Sequence, residues 1–223
     1  MTGIDRPRTD AADTLAFIYY PNAASQGLNR GMLHRIVNGL NHTTTFSQYN
    51  GFGKPERAED ANNVITTYAY DARGRMISRT TSGVTTGYTY DNAGRLVKIT
   101  LPGNRGITYT YTDANLLEKI TDNAGNSISY SCDEAENRIR EELKDASETL
   151  AAYMDFIYDA FNRLNKIIYP GTGSPYEEYG YDGNDNPVSF RDGNGKVTGY
   201  AYDVLQRVEI LIRPGDILST VKI

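Results

Sequence analysis

From Thr66 to Gly83 the chain reads TTYAYDARGRMISRTTSG, and from Thr86 to Gly103 it reads TGYTYDNAGRLVKITLPG. In both stretches aromatic and small polar residues alternate, a polar tetrapeptide intervenes, and alternation resumes. Alternation of period two predicts half-buried strands, and the tetrapeptides predict turns between them. The same pattern recurs around Tyr49, Tyr70, Tyr90, Tyr111, Cys132, Tyr158, Tyr181 and Tyr202, at intervals of 21, 20, 21, 21, 26, 23 and 21 residues. A constant period of this size marks an array of repeats. A weaker copy begins at Tyr19-Tyr20, with Gly31-Met32-Leu33 standing where later copies have Gly-Arg-Leu.

Each position in the repeat has a physical reading. Tyr-x-Tyr puts two rings on one face of a strand. Five such pairs occur: Tyr68/Tyr70, Tyr88/Tyr90, Tyr109/Tyr111, Tyr179/Tyr181 and Tyr200/Tyr202. Asp71-Ala-Arg-Gly74 and Asp91-Asn-Ala-Gly94 predict turns in which Asp bonds back to the backbone and Gly takes positive φ. Leu96-Val-Lys-Ile-Thr100 and Val208-Glu-Ile-Leu-Ile212 read as returning strands. Second turns follow at Asp60-Ala-Asn-Asn63, Pro102-Gly103-Asn104, Asp122-Asn-Ala-Gly125, Pro170-Gly-Thr-Gly173 and Asp192-Gly-Asn-Gly195. Where Glu136 and Gln206 replace the turn glycine, the cost of positive φ predicts turns of another build, with a bulge near Glu136. Asp145 to Asp155, containing Glu148-Thr-Leu-Ala-Ala-Tyr153, reads as a loop insertion able to hold a helical turn.

The expected organisation is a degenerate first repeat and lead-in over 1–42, an array over 43–212, and a tail over 213–223. Two strands per repeat give roughly sixteen strands, and at about 4.8 Å between strands the sheet would run about 75 Å. Open sheets rarely exceed about ten strands without curling, so the sheet should curve. Tyrosines under Arg and Lys stems should seal one face, each buried ring contributing on the order of 1.5–3 kcal/mol. The ends near residues 17–46 and 202–212 should be open edges, thinly guarded by Arg207, Glu209 and Arg213 and prone to self-association.

Composition narrows function. The 223 residues carry a net charge of −5, against a nucleic-acid binder. One cysteine excludes an intramolecular disulfide, and two histidines leave little for metal clusters. No apolar run is long enough to span a membrane as a helix, and the polar N-terminus does not read as a secretory signal.

These residues resemble the YD-repeat, or Rhs-repeat, family. Its pattern is Tyr-Asp, two variable residues, Gly-Arg-Leu, a strand, a Gly turn and a Tyr-x-Tyr-Asp return. Tyr70-Asp71-Ala-Arg-Gly74-Arg75-Met76 and Tyr90-Asp91-Asn-Ala-Gly94-Arg95-Leu96 match it almost throughout. Partial matches follow at Tyr111, Tyr158-Asp159 with Arg163, Tyr181-Asp182, and Tyr202-Asp203 with Arg207. The resemblance implies an all-β array of stacked hairpins, curved as part of a spiral β-shell. It implies a wall portion of a large secreted or cell-surface bacterial protein enclosing or displaying a toxin or effector domain. The implied partners are further YD repeats or that enclosed domain. A closing Asp-Pro-x-Gly segment and a toxin domain after Tyr202 are not found in this sequence. Some family members have carbohydrate-binding roles, which makes Tyr68, Tyr88, Tyr109, Tyr179 and Tyr200 candidate glycan platforms.

Catalytic chemistry has thin support. His34 and His42 lie in the least regular region, without a nucleophile-elbow pattern beside Ser47 or Asp60. Cys132 stands in a tyrosine slot and reads as a small strand hydrophobe. Asp182-Gly-Asn184-Asp-Asn186 imitates half a calcium loop, but Pro187 and Gly193 stand where its glycine and glutamate belong. Glu177 and Glu178 point to opposite faces of a strand and cannot act as a glycosidase pair. Asn41-His-Thr43 is a glycosylation acceptor by pattern only. No catalytic residue, metal site or cofactor is expected.

Overall fold

A computed structural model of the chain describes residues 14–103, 105–215 and the backbone of 221–222. Residues 1–13 of the expected lead-in, Asn104 of the expected Pro102-Gly103-Asn104 turn, and 216–220 and Ile223 of the expected tail lie outside the described residues. The chain divides into two compact halves, Met1–Gly106 and Ile107–Ile223.

The first half holds β1 (Leu15–Tyr19), β2 (Leu33–Asn38), β3 (Thr43–Tyr49), β4 (Pro55–Glu59), β5 (Ile65–Tyr70), β6 (Met76–Thr81), β7 (Val84–Tyr90) and β8 (Leu96–Leu101). Each pairs antiparallel with the next. A short 3-10 helix, Ala24–Asn29, sits in the loop between β1 and β2. Despite that insertion Tyr19 pairs with Leu33, as Tyr70 pairs with Met76, and Gly31 has φ +69°.

The second half holds most of β9 (Arg105–Tyr111), then β10 (Leu117–Asp122), β11 (Ser127–Cys132), β12 (Arg138–Lys144), β13 (Leu150–Tyr158) and β14 (Leu164–Ile168). It continues with β15 (Tyr176–Tyr181), β16 (Pro187–Arg191), β17 (Val197–Tyr202), β18 (Val208–Ile212) and β19 (Val221–Lys222). From β9 to β19 each strand again pairs antiparallel with its successor.

The turns explain why the hairpins close where they do. At Asp71 the carboxylate Oδ1 accepts the N–H of Arg73 and of Arg75, both at 2.9 Å. The Gly74 N–H donates to the Asp71 carbonyl at 2.9 Å, and Gly74 has φ +74°. The aspartate thus holds its own turn by two side-chain bonds. The opposite rim uses the same device at Asp60, Asp122 and Asp192.

Three expectations are corrected by these turns. Glu136 (φ +66°) and Gln206 (φ +61°) adopt the glycine conformation in turns of the common build. Asp133 and Asp203 make the same pairs of side-chain bonds there, and that clamp overrides the cost of a Cβ at positive φ. No extra bulge marks Glu136; the irregularity lies at Ser131/Cys132, as it lies at Ala69/Tyr70, Thr89/Tyr90 and Gly180/Tyr181. Asp145 to Asp155 is neither loop nor helical turn. Asp145 clamps an ordinary turn with Glu148 at φ +61°, and the additional residues lengthen β13 to nine residues. The strand partners on both sides of β13 override local helix propensity.

The recurrent bulge has a consequence for packing. Tyr70 pairs with Met76 but Ala69 pairs with Ser78, so Ile77 is extra. After the bulge, face partners lie three apart: Leu96 and Ile99 face Tyr90 and Tyr88, and Val208 and Leu211 face Tyr202 and Tyr200.

The core is smaller than the tyrosine count implied. Tyr49 and Ala58 are the buried hydrophobic residues among those described, and no large side chain is fully buried. The other anchor rings are half-buried, so the full burial energy expected for each does not apply. Strand number and edge also differ from expectation. Nineteen strands are described, and β18 is not an open edge, because Ile210 and Leu211 pair with Lys222 and Val221. At the other end all five residues of β1 are exposed.

Candidate functional site

The side chains that carry the repeat signal meet at the seams between successive repeats. Across the seams within each half the backbone ladder stops short of one rim. Between β4 and β5 its last pair towards that rim is Arg57 with Thr67, two residues inside Pro55. The Tyr70 phenol donates to the Pro55 carbonyl at 3.0 Å, satisfying the group the ladder leaves. The same bond joins Tyr90 to Met76 (2.9 Å), Tyr158 to Arg138 (3.0 Å), Tyr181 to Leu164 (2.8 Å) and Tyr202 to Pro187 (2.9 Å). Tyr49 bonds the Leu33 carbonyl at 2.5 Å. Burial pushes the Tyr70 and Tyr181 phenols above their ordinary value of 10.0.

A cation from the preceding repeat covers each of several rings. Arg75 lies 4.5 Å from the Tyr90 centroid, Arg163 4.8 Å from Tyr181, and Lys54 5.6 Å from Tyr70. Arg75 and Arg163 are held from behind, because Nε of each donates at 2.7 Å to Oδ2 of Asp71 and of Asp159. Arg95 binds Asp91 and Arg207 binds Asp203 in the same way. The backbone N–H of Arg75 leads in holding Asp71 below the usual carboxylate value, and the Arg95 side chain does so for Asp91. Where Asn stands in place of Arg, Asn137 and Asn186 donate to Asp133 and Asp182 at 3.0 Å.

Turn-to-turn contacts complete the seam. Lys54 Nζ donates to the Gly74 carbonyl at 2.5 Å, Arg73 to the Asn92 carbonyl at 3.2 Å, and Arg163 to the Asp182 carbonyl at 3.0 Å. Phe52 packs over Gly74, where an added Cβ would meet its Cγ at 3.0 Å. Lys54, Arg73 and Phe52 were not singled out from sequence. The signal available for Lys54 was a basic residue at the fifth position of the turn, the slot Arg75 occupies.

The remaining candidates are strand and turn residues, and at the β14–β15 seam the Asn165 side chain donates to the Tyr179 carbonyl at 3.1 Å. Tyr111 ends β9 opposite Leu117. Tyr68, Tyr88, Tyr109 and Tyr200 are half-buried on the anchor face. Tyr179 donates to Glu177 at 2.9 Å, and burial, then Glu177, pushes its phenol up to about 12. His34 stacks on Tyr20 with centroids 4.2 Å apart. His42 belongs to a turn and donates its N–H to Asn38 Oδ1 at 2.9 Å. Cys132 is half-buried at the end of β11. Asp182 spends its carboxylate on Asn184 and Asn186, and no group of metal-ligating side chains gathers among the described residues. On the tyrosine-bearing face of the second half, Ile128, Leu143, Ala152, Met154 and Pro170 line an apolar hollow of 310 Å³.

The family model for the Teneurin YD-shell matches residues 29–141, half of the chain. The chain belongs to this family. A second model, for the RHS repeat, matches residues 181–216 of this YD-shell chain. Among solved structures it is similar to the Photorhabdus luminescens Tc holotoxin pore, at 16% identity and TM-score 0.69, over 89% of this chain and 12% of that one. It is also similar to TcdB2-TccC3 without its hypervariable C-terminal region, at 16% identity and TM-score 0.71, over 91% of this chain and 13% of that one. At this identity the likeness establishes a shared fold, and the chain spans about an eighth of those chains. No curated protein matches the chain. No described helix is long and apolar enough to cross a membrane, which says nothing about β-barrels.

Proposed function

We propose that this YD-shell chain is a structural wall segment of a larger bacterial protein, secreted or displayed on the cell surface, that encloses or displays a toxin or effector domain. One observation carries the reading: the Tyr, Asp and Arg that define the repeat are spent on closing their own turns and, at the described seams, on joining one repeat to the next. Phenols satisfy carbonyls, aspartates clamp turns, and guanidinium groups bridge an aspartate to the next ring. Residues committed in this way build a scaffold rather than a reaction centre, and we assign His34, His42 and Cys132 no catalytic role. The partners are further YD repeats and the domain they surround.

Recovery of the tagged chain from its native cells tests this. The expected result is co-purification with a polypeptide carrying further YD repeats or an effector domain. Glycan-array binding that disappears in Tyr68→Ala, Tyr88→Ala or Tyr200→Ala, with no such polypeptide recovered, would instead establish an adhesion module. A defined turnover lost in His34→Ala or His42→Ala with folding intact would overturn the non-enzymatic assignment.

A further inference from the structure

The two largest departures from the repeat period meet in one place. The interval of 26 residues between Cys132 and Tyr158 lengthens β13 to nine residues, and the interval of 23 between Tyr158 and Tyr181 lengthens the turn after β14. Strand β14 reaches along β13 only as far as Ile168, opposite Asp155, so Ala152 and Met154 lie beyond its end. Tyr169 and Pro170, where the chain leaves β14, stand there instead and close one side of the 310 Å³ hollow. Its floor is a cross-strand row. Leu143 pairs with Ile128 on one side and with Ala152 on the other, and the small Ala152 side chain leaves the depression. Leu143 is 43% exposed, so this apolar floor faces solvent.

One carboxylate stands on that apolar wall. In the next row Glu141 lies between Tyr130 and Met154, and it is the charged residue of the lining. Its Oε2 accepts from Arg138 Nη1 at 3.4 Å, against 2.6–2.7 Å in the Asp–Arg forks of the turns. No other described group bonds this carboxylate, and Arg138 lays its guanidinium on Tyr130, 4.0 Å from the ring centroid. Burial, then the Glu177 carboxylate, pushes the Tyr169 phenol up, so a second negative charge acts on the wall that Tyr169 forms. An apolar hollow with a loosely paired carboxylate fits a ligand with an apolar body and a positive charge. Small-molecule sites begin at about 300 Å³, so this volume suits a ring system with a short chain rather than a peptide segment.

We propose that the hollow is a binding site for a small organic ammonium ion. Its apolar body rests on Ile128, Leu143, Ala152 and Met154, and its N–H groups donate to the Glu141 carboxylate. The site goes beyond the wall-segment reading and does not depend on it, because two insertions build it and the repeat pattern does not.

The test uses the full chain with carbon-13 methionine methyls and three naphthalene probes of similar size: naphthylmethylammonium, naphthylmethanol and naphthoate. Ring-current shifts report which methionine the probe meets. The ammonium probe should shift the Met154 methyl saturably and leave Met32 and Met76 in place. It should bind about tenfold tighter than the alcohol, the gain expected of a hydrogen bond to a charged group, and naphthoate should bind weakest. Glu141→Gln should bring the ammonium and the alcohol to equal affinity. Ala152→Leu should abolish the Met154 response to all three probes while circular dichroism shows an intact sheet. If Ala152→Leu does not fold, Glu141→Gln still decides, since it alters one half-buried side chain that makes a single long contact. No saturable Met154 shift, equal affinity for ammonium and alcohol in the parent chain, or matching shifts at Met32 and Met76 would each overturn the proposal.

Discussion

The stretch from Ile65 to Leu101 and the stretch from Ser127 to Ile168 have one backbone design and different side chains. The first keeps glycine in its anchor turns and forks Asp71 to Arg75 and Asp91 to Arg95. The second puts Glu136 and Asn162 at positive φ, and Asn137 replaces an arginine. The face opposite its anchor residues is charged: Arg140 bonds Glu142 and Asp155, each at 2.9 Å, and stacks on Tyr153. The corresponding face of the first stretch carries threonines, with Thr80 and Thr85 hydroxyls 2.8 Å apart. What survives at every anchor turn of both is the aspartate clamp, whereas the tyrosine that bonds backward is kept at Tyr158 and replaced by Cys132 at the other anchor of the second stretch. The difference teaches that the aspartate clamp specifies the hairpin, and that glycine, arginine and the anchor phenol ease it.

The sharpest way to break that comparison is to remove a clamp. Asp133→Ala should lower the thermal midpoint by several degrees, more than Asp91→Ala does, because Glu136 loses the support that Gly94 does not need. Equal losses in calorimetry would mean the clamp is incidental. Gly94→Val comes next and should cost about 1–2 kcal/mol in urea denaturation, through a β-branched side chain at φ +95°. Conversely Glu136→Gly should gain roughly 1 kcal/mol, and no gain would show that the Asp133 turn is unstrained. Tyr90→Phe should cost about 1 kcal/mol by orphaning the Met76 carbonyl, whereas Tyr88→Phe, whose phenol serves no such carbonyl, should lie near zero.

The smallest effect is in the acid limb. The Asn137 side chain leads in holding Asp133 below its ordinary 3.8, and the backbone N–H of Arg207 does so for Asp203. A carboxyl with a lowered folded value adds stability that is intact above its unfolded value and is lost as pH falls through the folded one. Stability should therefore hold level above 3.8 and decline below it, and Asp133→Asn, which keeps an acceptor oxygen without titrating, should flatten part of that decline. A midpoint insensitive to acid in the parent chain would remove the aspartates from the account.

Much of the hairpin order was legible because Tyr-Asp-x-x-Gly carries its own physics: a ring for a strand, a side-chain clamp and a residue free to take positive φ. The bulge was not, since strict alternation was assumed across Leu96 to Thr100. The spacing of three between Leu96 and Ile99, repeated at Leu117 and Ile120, was the available clue. Glu136 and Gln206 misled because intrinsic φ cost was weighed without the aspartate three residues earlier. Phenol-to-carbonyl bonds were illegible because they depend on where an inter-repeat ladder ends, which no local pattern encodes.

The described seam contacts link each repeat to the next one along, and this sets how such a gene can change. A duplication or deletion of one whole repeat, about 21 residues, presents the same Tyr, Arg and carbonyl fittings to new neighbours and should pass unnoticed by the rest of the array. A single-residue insertion within a strand turns its side chains to the other face and is punished at once. Copy number drifts freely while register is kept, so arrays of this kind can vary widely in length among relatives without losing their architecture.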